Sequence, residues 1–296
     1  MRVAVVAHQG KILGGGLDEL RTLLDREDIT DLRWYEVKKS RRAPRRVRKA
    51  LKDAPELLLV WGGDGMVQRC LDAVVAAEVT VGILPAGTAN LLAYNLGIPR
   101  ELPVALDIAL HGATRRIDLG RWGGEHFAVM AGMGFDADMI RSANGALKGR
   151  LGRLAYVWSG LRAVGAEAAY ATIRLDGETW FEGEATCVLV GNVAKVMGGV
   201  EVFDGAAPDD GWLDVGVATA QGAFAWSRAM LHVGTGRAGA SPYIKRARAQ
   251  RMTVRLAAPL RYELDGGVRG KVTKVKVRVV PAAVAIRVPH GDGAAD

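Results

Sequence analysis

Residues 57–67 read LLLVWGGDGMV, an apolar run that stops at a glycine cluster and then resumes as a helical pattern. A continuous apolar run, then turn residues, then a 3.6-residue period predicts a buried strand, a tight turn and a helix. Gly62, Gly63 and Gly65 can adopt backbone angles that are closed to other residues, and they leave the main chain bare. The stretch is typical of a strand-to-helix turn in a doubly wound α/β domain.

This turn is also a candidate phosphate site. Free N–H groups and the positive end of the following helix favour a bound polyphosphate. Asp64 would repel phosphate, so we expect it to hold a magnesium ion against the phosphates. The alternative is a tight turn in which Asp64 only caps the helix.

A second loop of the same kind, ILPAGTAN at residues 83–90, follows a β-type run at 79–84 and precedes a helical run at 89–96. Ligands of doubly wound sheets bind beyond the carboxyl ends of the strands. Both loops are expected there, and together they favour nucleotide chemistry.

The two loops resemble those of the diacylglycerol kinase and sphingosine kinase-like lipid kinases, which carry GGDGT and then P-x-G-T-x-N-x-x-A-x-x-L-G-I-P. This chain has GGDG at 62–65 and PAGTANLLAYNLGIP at 85–99. NAD kinases and 6-phosphofructokinases resemble the first loop but not the second. Further segments are similar to the family in the same order, over residues 1 to about 288: GMGFDA at 132–137, DDGWLDV at 209–215 and LDG at 264–266.

The resemblance implies phosphorylation of a lipid hydroxyl with ATP and Mg²⁺ as cofactors, diacylglycerol or a related lipid being the expected acceptor. The implied nucleotide-binding residues are Gly62, Gly63, Asp64, Gly65, Met66, Thr88 and Asn90. Asp265 matches the family's proposed general base, although an Asp-Gly pair is also an ordinary hairpin turn. The resemblance implies a structural Mg²⁺ held by Asp210 with the carbonyls of Ala207 and Trp212, although Asp209-Asp210-Gly211 is also an ordinary hairpin loop. Asp64 is expected at the catalytic Mg²⁺ and Asp118 behind it, supporting its ligands, although an acidic residue at a strand end is often only solvated.

The chain departs from the family pattern at several of these positions. Met66 replaces the threonine of GGDGT, Leu91 replaces an aspartate, and Gly267 replaces a glutamate. Two functions therefore stay open: an active lipid kinase, or a catalytically weak relative that binds nucleotide or lipid as a sensor or scaffold.

Charge is concentrated in one run. The formal net charge is +8, and the run Lys38–Lys49 (KKSRRAPRRVRK) carries eight basic residues and no acidic one. Its alternatives are a solvated helix face, a nucleic-acid patch, or a surface for ATP phosphates and anionic lipid headgroups. Among the functional uses the last is preferred and nucleic acid is disfavoured, because no aromatic residue interrupts the run.

Composition bounds the location. Two cysteines, Cys70 and Cys187, cannot build a disulfide framework, which indicates a reducing cytoplasm. No stretch of eighteen apolar residues occurs, so no spanning helix is predicted. We therefore expect a cytoplasmic protein that meets its lipid substrate peripherally, on the inner face of the membrane; a homodimer is left open.

The pattern predicts an α/β nucleotide-binding domain over 1–120, an antiparallel β-sandwich over 121–282, and a last β-type run at Val284–Val288 with a frayed tail within 283–296. The resemblance implies that this last run returns to the first domain. A helix over Arg150–Val164 is expected to pack on the core or to cover an acyl chain.

Overall fold

The computed structural model describes residues 1–134, 168–195, 201–222, 225–226, 228–229 and 241–290. The end of the 132–137 segment and the helix predicted over 150–164 lie outside the described residues. The chain divides into two compact units, one of Met1–Asp118 with Pro281–Asp296 and one of Leu119–Val280.

The first unit alternates strands and helices in the order that the sequence predicts. Its strands are β1 (Arg2–His8), β2 (Asp31–Val37), β3 (Leu57–Gly62) and β4 (Thr80–Pro85). Its helices are α1 (Gly16–Leu24), α2 (Ala43–Ala50), α3 (Asp64–Val74), α4 (Leu91–Asn95) and α5 (Leu102–His111). Two further strands, β5 (Ala113–Trp122) and β14 (Gly267–Val288), begin in one unit and end in the other.

The strands β2, β1, β3 and β4 pair in parallel in that order. The last part of β14 then adds a parallel strand beside β4, with Ala285 opposite Thr80. This is the strand that the sequence analysis placed over Val284–Val288. The predicted doubly wound parallel domain is confirmed.

Burial explains why these segments form a parallel sheet. Every residue of β3 is buried, which is the mark of a strand covered on both faces. Helix α3 buries Val67, Cys70, Leu71 and Val74, which recur at helical spacing. Both cysteines are free and buried, so each acts as a small apolar side chain.

The second unit is built from antiparallel pairs. Its strands besides parts of β5 and β14 are β6 (Glu125–Phe127), β7 (Met130–Met133), β8 (Ala169–Leu175), β9 (Glu178–Ala185), β10 (Cys187–Gly191), β11 (Leu213–Ala218), β12 (Ile244–Ala249) and β13 (Arg251–Leu264). The pairing runs β12, β11, β10, β7, β13, β14, and β8 joins β13 to β9. Inward residues such as Ile173, Val215, Val254 and Val277 form one apolar core. The predicted antiparallel β domain is confirmed.

Among the described residues, no helix combines the length and apolarity that crossing a bilayer requires.

Candidate functional site

The two glycine loops of the first unit begin at the same edge of the sheet. Strands β3 and β4 are in register up to Gly62, which lies opposite Pro85. The N–H of Ala86 donates a hydrogen bond to the carbonyl of Gly62 at 3.0 Å. Both loops therefore leave the carboxyl ends of neighbouring parallel strands, where ligands bind in such sheets.

The glycines of the first loop serve close packing. Gly63 has an extended backbone (φ −94°), and neither Gly62 nor Gly65 has a positive φ, so the expectation of special backbone angles is wrong. A β-carbon on Gly63 would lie 2.9 Å from the Cα of Gly87, and one on Gly87 would lie 2.4 Å from the Cα of Gly63. Side chains at these positions would push the loops apart.

Asp64 joins the two loops. It is the first residue of α3, and its Oδ1 accepts a hydrogen bond from the N–H of Leu91, the first residue of α4, at 2.5 Å. Burial raises the pKa of Asp64, and N–H donors that include those of Leu91, Leu92 and Asn90 oppose the rise. The carboxylate that the sequence assigned to Mg²⁺ therefore also holds the second loop against the first.

The side chain of Asn90 forms its hydrogen bonds within the second loop. This buried residue has φ 51°, a left-handed conformation that asparagine tolerates. Its Oδ1 accepts from the N–H of Gly87 at 2.8 Å, and its Nδ2 donates to the carbonyls of Pro85 at 3.1 Å and Gly87 at 3.0 Å. The side chain maintains the shape of the loop.

The structure separates the remaining nucleotide-site residues by exposure. Thr88 is exposed, whereas Met66 is only 3% exposed and lies against Gly62. Sequence reasoning missed Arg100, which donates from Nη2 to the carbonyl of Gly87 at 3.1 Å. Its only signal was a basic residue directly after the LGIP segment. Of Thr88 and Met66, it is Thr88 whose side chain is accessible to a ligand.

The carboxyl end of β1 brings a histidine and a lysine to the same sheet edge. Burial lowers the pKa of His8, and the charge of Lys11 lowers it further. The indole N–H of Trp61, on β3, donates to the carbonyl of Lys11 at 3.1 Å and fixes this turn. Neither residue was among the predicted site residues.

Asp118 lies at the return strand. It is buried, and its Oδ1 accepts from the N–H of Ala282 at 2.7 Å. Ala282 has φ 46°, so this bond stabilises a strained residue within β14.

Asp265 occupies a two-residue turn between β13 and β14 in the second unit. Asp265 has φ 44° and Gly266 has φ 72°, as in the type I′ turns of hairpins. The buried carboxylate accepts three backbone hydrogen bonds, from Ala128 at 2.8 Å and from Val129 and Met130 at 2.9 Å each. The residue is both a turn residue and a carboxylate held in one orientation.

Glu263, two residues earlier on β13, was not predicted. Burial raises its pKa to about 7, and the charge of Asp265 adds to the rise. Cys187 is also buried, and its own burial, together with the charge of Glu263, raises the pKa of its thiol well above the usual value. A carboxyl group that titrates near neutrality therefore lies close to Asp265.

The surroundings of Asp210 differ from the expected cation site. Its carboxylate accepts from the N–H groups of Trp212 at 2.9 Å and Ala207 at 3.4 Å, and it pairs with the guanidinium of Arg248. Arg248 also lies 3.6 Å from Asp214, whose pKa burial raises. An arginine already neutralises this carboxylate, so these residues do not fit a bound Mg²⁺. Among the described residues, no cluster of three or more His, Cys, Asp or Glu side chains could hold a metal ion.

Comparison with known proteins connects these features. Residues 10–122 match the diacylglycerol kinase catalytic domain, and residues 129–288 match the YegS C-terminal NAD kinase beta sandwich-like domain. The chain is 32% identical over 252 residues to the "Probable lipid kinase YegS-like" of Pseudomonas fluorescens, covering 84% of this chain and 82% of that protein. It is 28% identical over 246 residues to an uncharacterized protein of Synechocystis, covering 80% of this chain and 56% of that protein.

The fold is shared with a solved structure. A Bacillus anthracis protein assigned as a diacylglycerol kinase superposes with a TM-score of 0.78 at 22% identity, over 97% of each chain. The sequence matches cover both units, and the glycine loops lie inside the first of them. The chain belongs to the diacylglycerol kinase-like family of lipid kinases.

Proposed function

We propose that this chain transfers the γ-phosphoryl group of ATP to a hydroxyl of a membrane lipid, diacylglycerol or a related lipid. The observation that carries the proposal is the pair of glycine loops at one sheet edge. Gly63 and Gly87 pack backbone against backbone, and Asp64 ties the loops together. Bare main chain beside the N-terminus of the eleven-residue helix α3 suits a polyphosphate.

Asp265 is the proposed acceptor of the proton that the lipid hydroxyl loses. A general base must be oriented toward that proton. The N–H groups of Ala128, Val129 and Met130 fix the Asp265 carboxylate. These three donors hold the carboxylate in one orientation, which is what a general base for the substrate hydroxyl requires.

A magnesium ion bound with ATP would neutralise charge on the phosphates during transfer. In the first unit Asp64 is the residue proposed to hold it, with Asp118 as a supporting carboxylate. Both present hard oxygen atoms, and Mg²⁺ is commonly held by one or two carboxylates together with water and phosphate oxygens.

The second candidate function is a nucleotide- or lipid-binding protein with weak catalysis. Three observations favour it: Met66 is buried and offers no hydroxyl to phosphate, Leu91 offers only its backbone to Asp64, and the donors on Asp265 compete with a substrate proton.

A transfer assay separates the two functions. Purified protein is incubated with radiolabelled ATP, Mg²⁺ and mixed micelles of diacylglycerol, ceramide, a sphingoid base or phosphatidylglycerol. The kinase proposal requires label in at least one lipid. Tight ATP binding by calorimetry with no labelled lipid would instead support the binding protein.

The basic run Lys38–Lys49 is the proposed membrane contact. Its eight basic side chains are all exposed, while Ala43, Val47 and Ala50 turn inward from α2. Within the described chain none of the eight forms a salt bridge. Such a surface attracts anionic headgroups by about 1 kcal/mol for each basic residue close to the bilayer.

Charge reversal tests this contact. Arg41, Arg42, Arg45 and Arg46 are changed together to glutamate, and sedimentation with phosphatidylglycerol vesicles is measured at low salt. We expect vesicle binding to fall while turnover of a short-chain, water-soluble lipid persists. Unchanged vesicle binding, or a wild type that binds DNA and ignores vesicles, would refute the membrane contact.

A further inference from the structure

The second unit contains a groove of about 1180 Å³ lined by residues of β5, β8, β13 and β14. It is larger than most small-molecule pockets, and its lining is strongly basic. Six of the lining residues are Arg174, Arg251, Arg255, Lys274, Lys276 and Arg278. Every residue that lines the groove belongs to the second unit, so the groove is a feature apart from the glycine loops.

Strand register places like charges directly opposite one another in this groove. Arg251 faces Arg278 across β13 and β14, and Arg255 faces Lys274 four residues further along β13. Lys276 faces Thr253. Like charges directly opposite on neighbouring strands destabilise a sheet, so the arrangement favours an anion that neutralises them.

The cations have no acidic partner in the described part of the chain. The side chains of Arg251, Arg255, Lys274, Lys276 and Arg278 make no hydrogen bond or ion pair there. The two acidic residues of the lining are already engaged. Glu125 pairs with Arg269 at 2.9 Å, and Asp176 accepts from the backbone N–H groups of Gln250 and Arg251.

Two aromatic residues of the lining stack on each other, and Trp122 is only 3% exposed. Trp122 stacks on Tyr262 with ring centroids 5.6 Å apart and an interplanar angle of 14°. Both residues line the groove. A cleft lined by charge of one sign also concentrates small counter-ions.

We propose that this groove binds a water-soluble ligand with several phosphate groups. The β-carbons of facing residues lie about 5 Å apart across the strands, and those of Lys274, Lys276 and Arg278 lie about 7 Å apart along β14, a spacing that suits consecutive phosphates better than one isolated phosphate. The site would let the concentration of a polyanion act on the protein independently of ATP at the glycine loops.

Calorimetry with inorganic tripolyphosphate tests the proposal, in magnesium-free buffer at physiological ionic strength. The double variant Arg255→Gln with Lys274→Gln removes one facing pair from the groove. The matched control is Arg261→Gln with Lys271→Gln, which removes an exposed facing pair from the same strands outside the groove lining. We expect the first variant to bind about tenfold more weakly and the control to change less than about twofold.

A second readout verifies folding and separates the two sites. Without added anion at low salt, the Arg255/Lys274 variant should unfold at the same or a higher temperature than the wild type, because a repulsive pair is gone. Gly63→Ala, which alters the glycine loops, should leave tripolyphosphate binding at the groove intact. A failure of nucleotide binding at the loops can therefore be distinguished from a failure of polyanion binding at the groove. Three results would overturn the groove proposal: no binding by the wild type, equal weakening in both double variants, or binding of anionic vesicles without binding of tripolyphosphate.

Discussion

Gly63 and Gly87 lie so close that a β-carbon on Gly87 would stand 2.4 Å from the Cα of Gly63. The atoms in contact belong to the backbone, which cannot move aside as the end of a flexible side chain can. The two loops can therefore approach this closely because neither position carries a side chain. Asp64 and Asn90 add the hydrogen bonds that keep this contact in place.

Gly63→Ala should impair nucleotide binding and lower stability. The backbone angles at Gly63 suit alanine, so the effect comes from the contact with Gly87 alone. Overpacking of this kind commonly costs about 1–3 kcal/mol. ATP affinity by calorimetry and the free energy of unfolding would be measured. Gly65→Ala is the control, since its β-carbon meets nothing within 4 Å. Equal behaviour of the two variants would contradict the packing explanation.

Asp265→Asn should reduce both turnover and stability. Loss of a general base lowers the rate by about 10²–10⁴. The asparagine NH₂ would also face one of the backbone N–H donors that now bind the carboxylate. A buried donor left without its acceptor lowers the free energy of unfolding by about 1–3 kcal/mol. Asp176→Asn is the control, because Asp176 has the same left-handed turn (φ 47°) and also accepts backbone N–H groups. The Asp176→Asn variant should lose stability and keep its turnover of lipid. Normal turnover in the Asp265→Asn variant would remove Asp265 from the mechanism.

Glu263→Gln should abolish one step in the pH dependence of stability. Burial raises the pKa of Glu263 from 4.5 to about 7. The contribution of the protonated side chain to the free energy of unfolding is therefore fully present below pH 4.5 and is lost as the pH rises to about 7. Above that pH the ionised side chain lowers stability by up to about 3 kcal/mol. Denaturant unfolding at a series of pH values should show the variant more stable than the wild type above pH 7 and equal to it near pH 4.5. A difference that does not vary with pH would contradict this assignment.

Removal of magnesium should leave the unfolding temperature of the nucleotide-free wild type unchanged, because Arg248 neutralises Asp210. Arg248→Gln leaves that carboxylate beside Asp214 without its cation, and added Mg²⁺ should then raise the unfolding temperature of the variant. The control is Arg246→Gln on the same strand, which loses the ion pair with Asp204 and the cation–π contact with Phe203 but leaves the partner of Asp210 in place. A wild type that a chelator destabilises would show that a metal occupies this turn.

Local pattern was sufficient for the architecture. The run at 57–62 is apolar throughout, so it had to be a strand covered on both faces, and the glycine segments that follow two such strands had to leave the same sheet edge.

What each polar residue does depended on contacts between segments far apart in the chain. Glycines at 62–65 are consistent both with unusual backbone angles and with close packing, and only the approach of Gly87 decides between them. The donors to Asp265 come from residues more than 130 positions away, and the burial of Glu263 follows from the strands beside β13.

The sequence by itself determined the order of strands, turns and helices and the segments that form the site, because hydrophobic periodicity and glycine turns are local properties. Only the tertiary structure decided that Arg255 faces Lys274 and that Arg248 takes the place of a cation at Asp210. Register and side-chain pairing are set by the packing of whole strands, and a one-residue slip would turn each side chain to the other face.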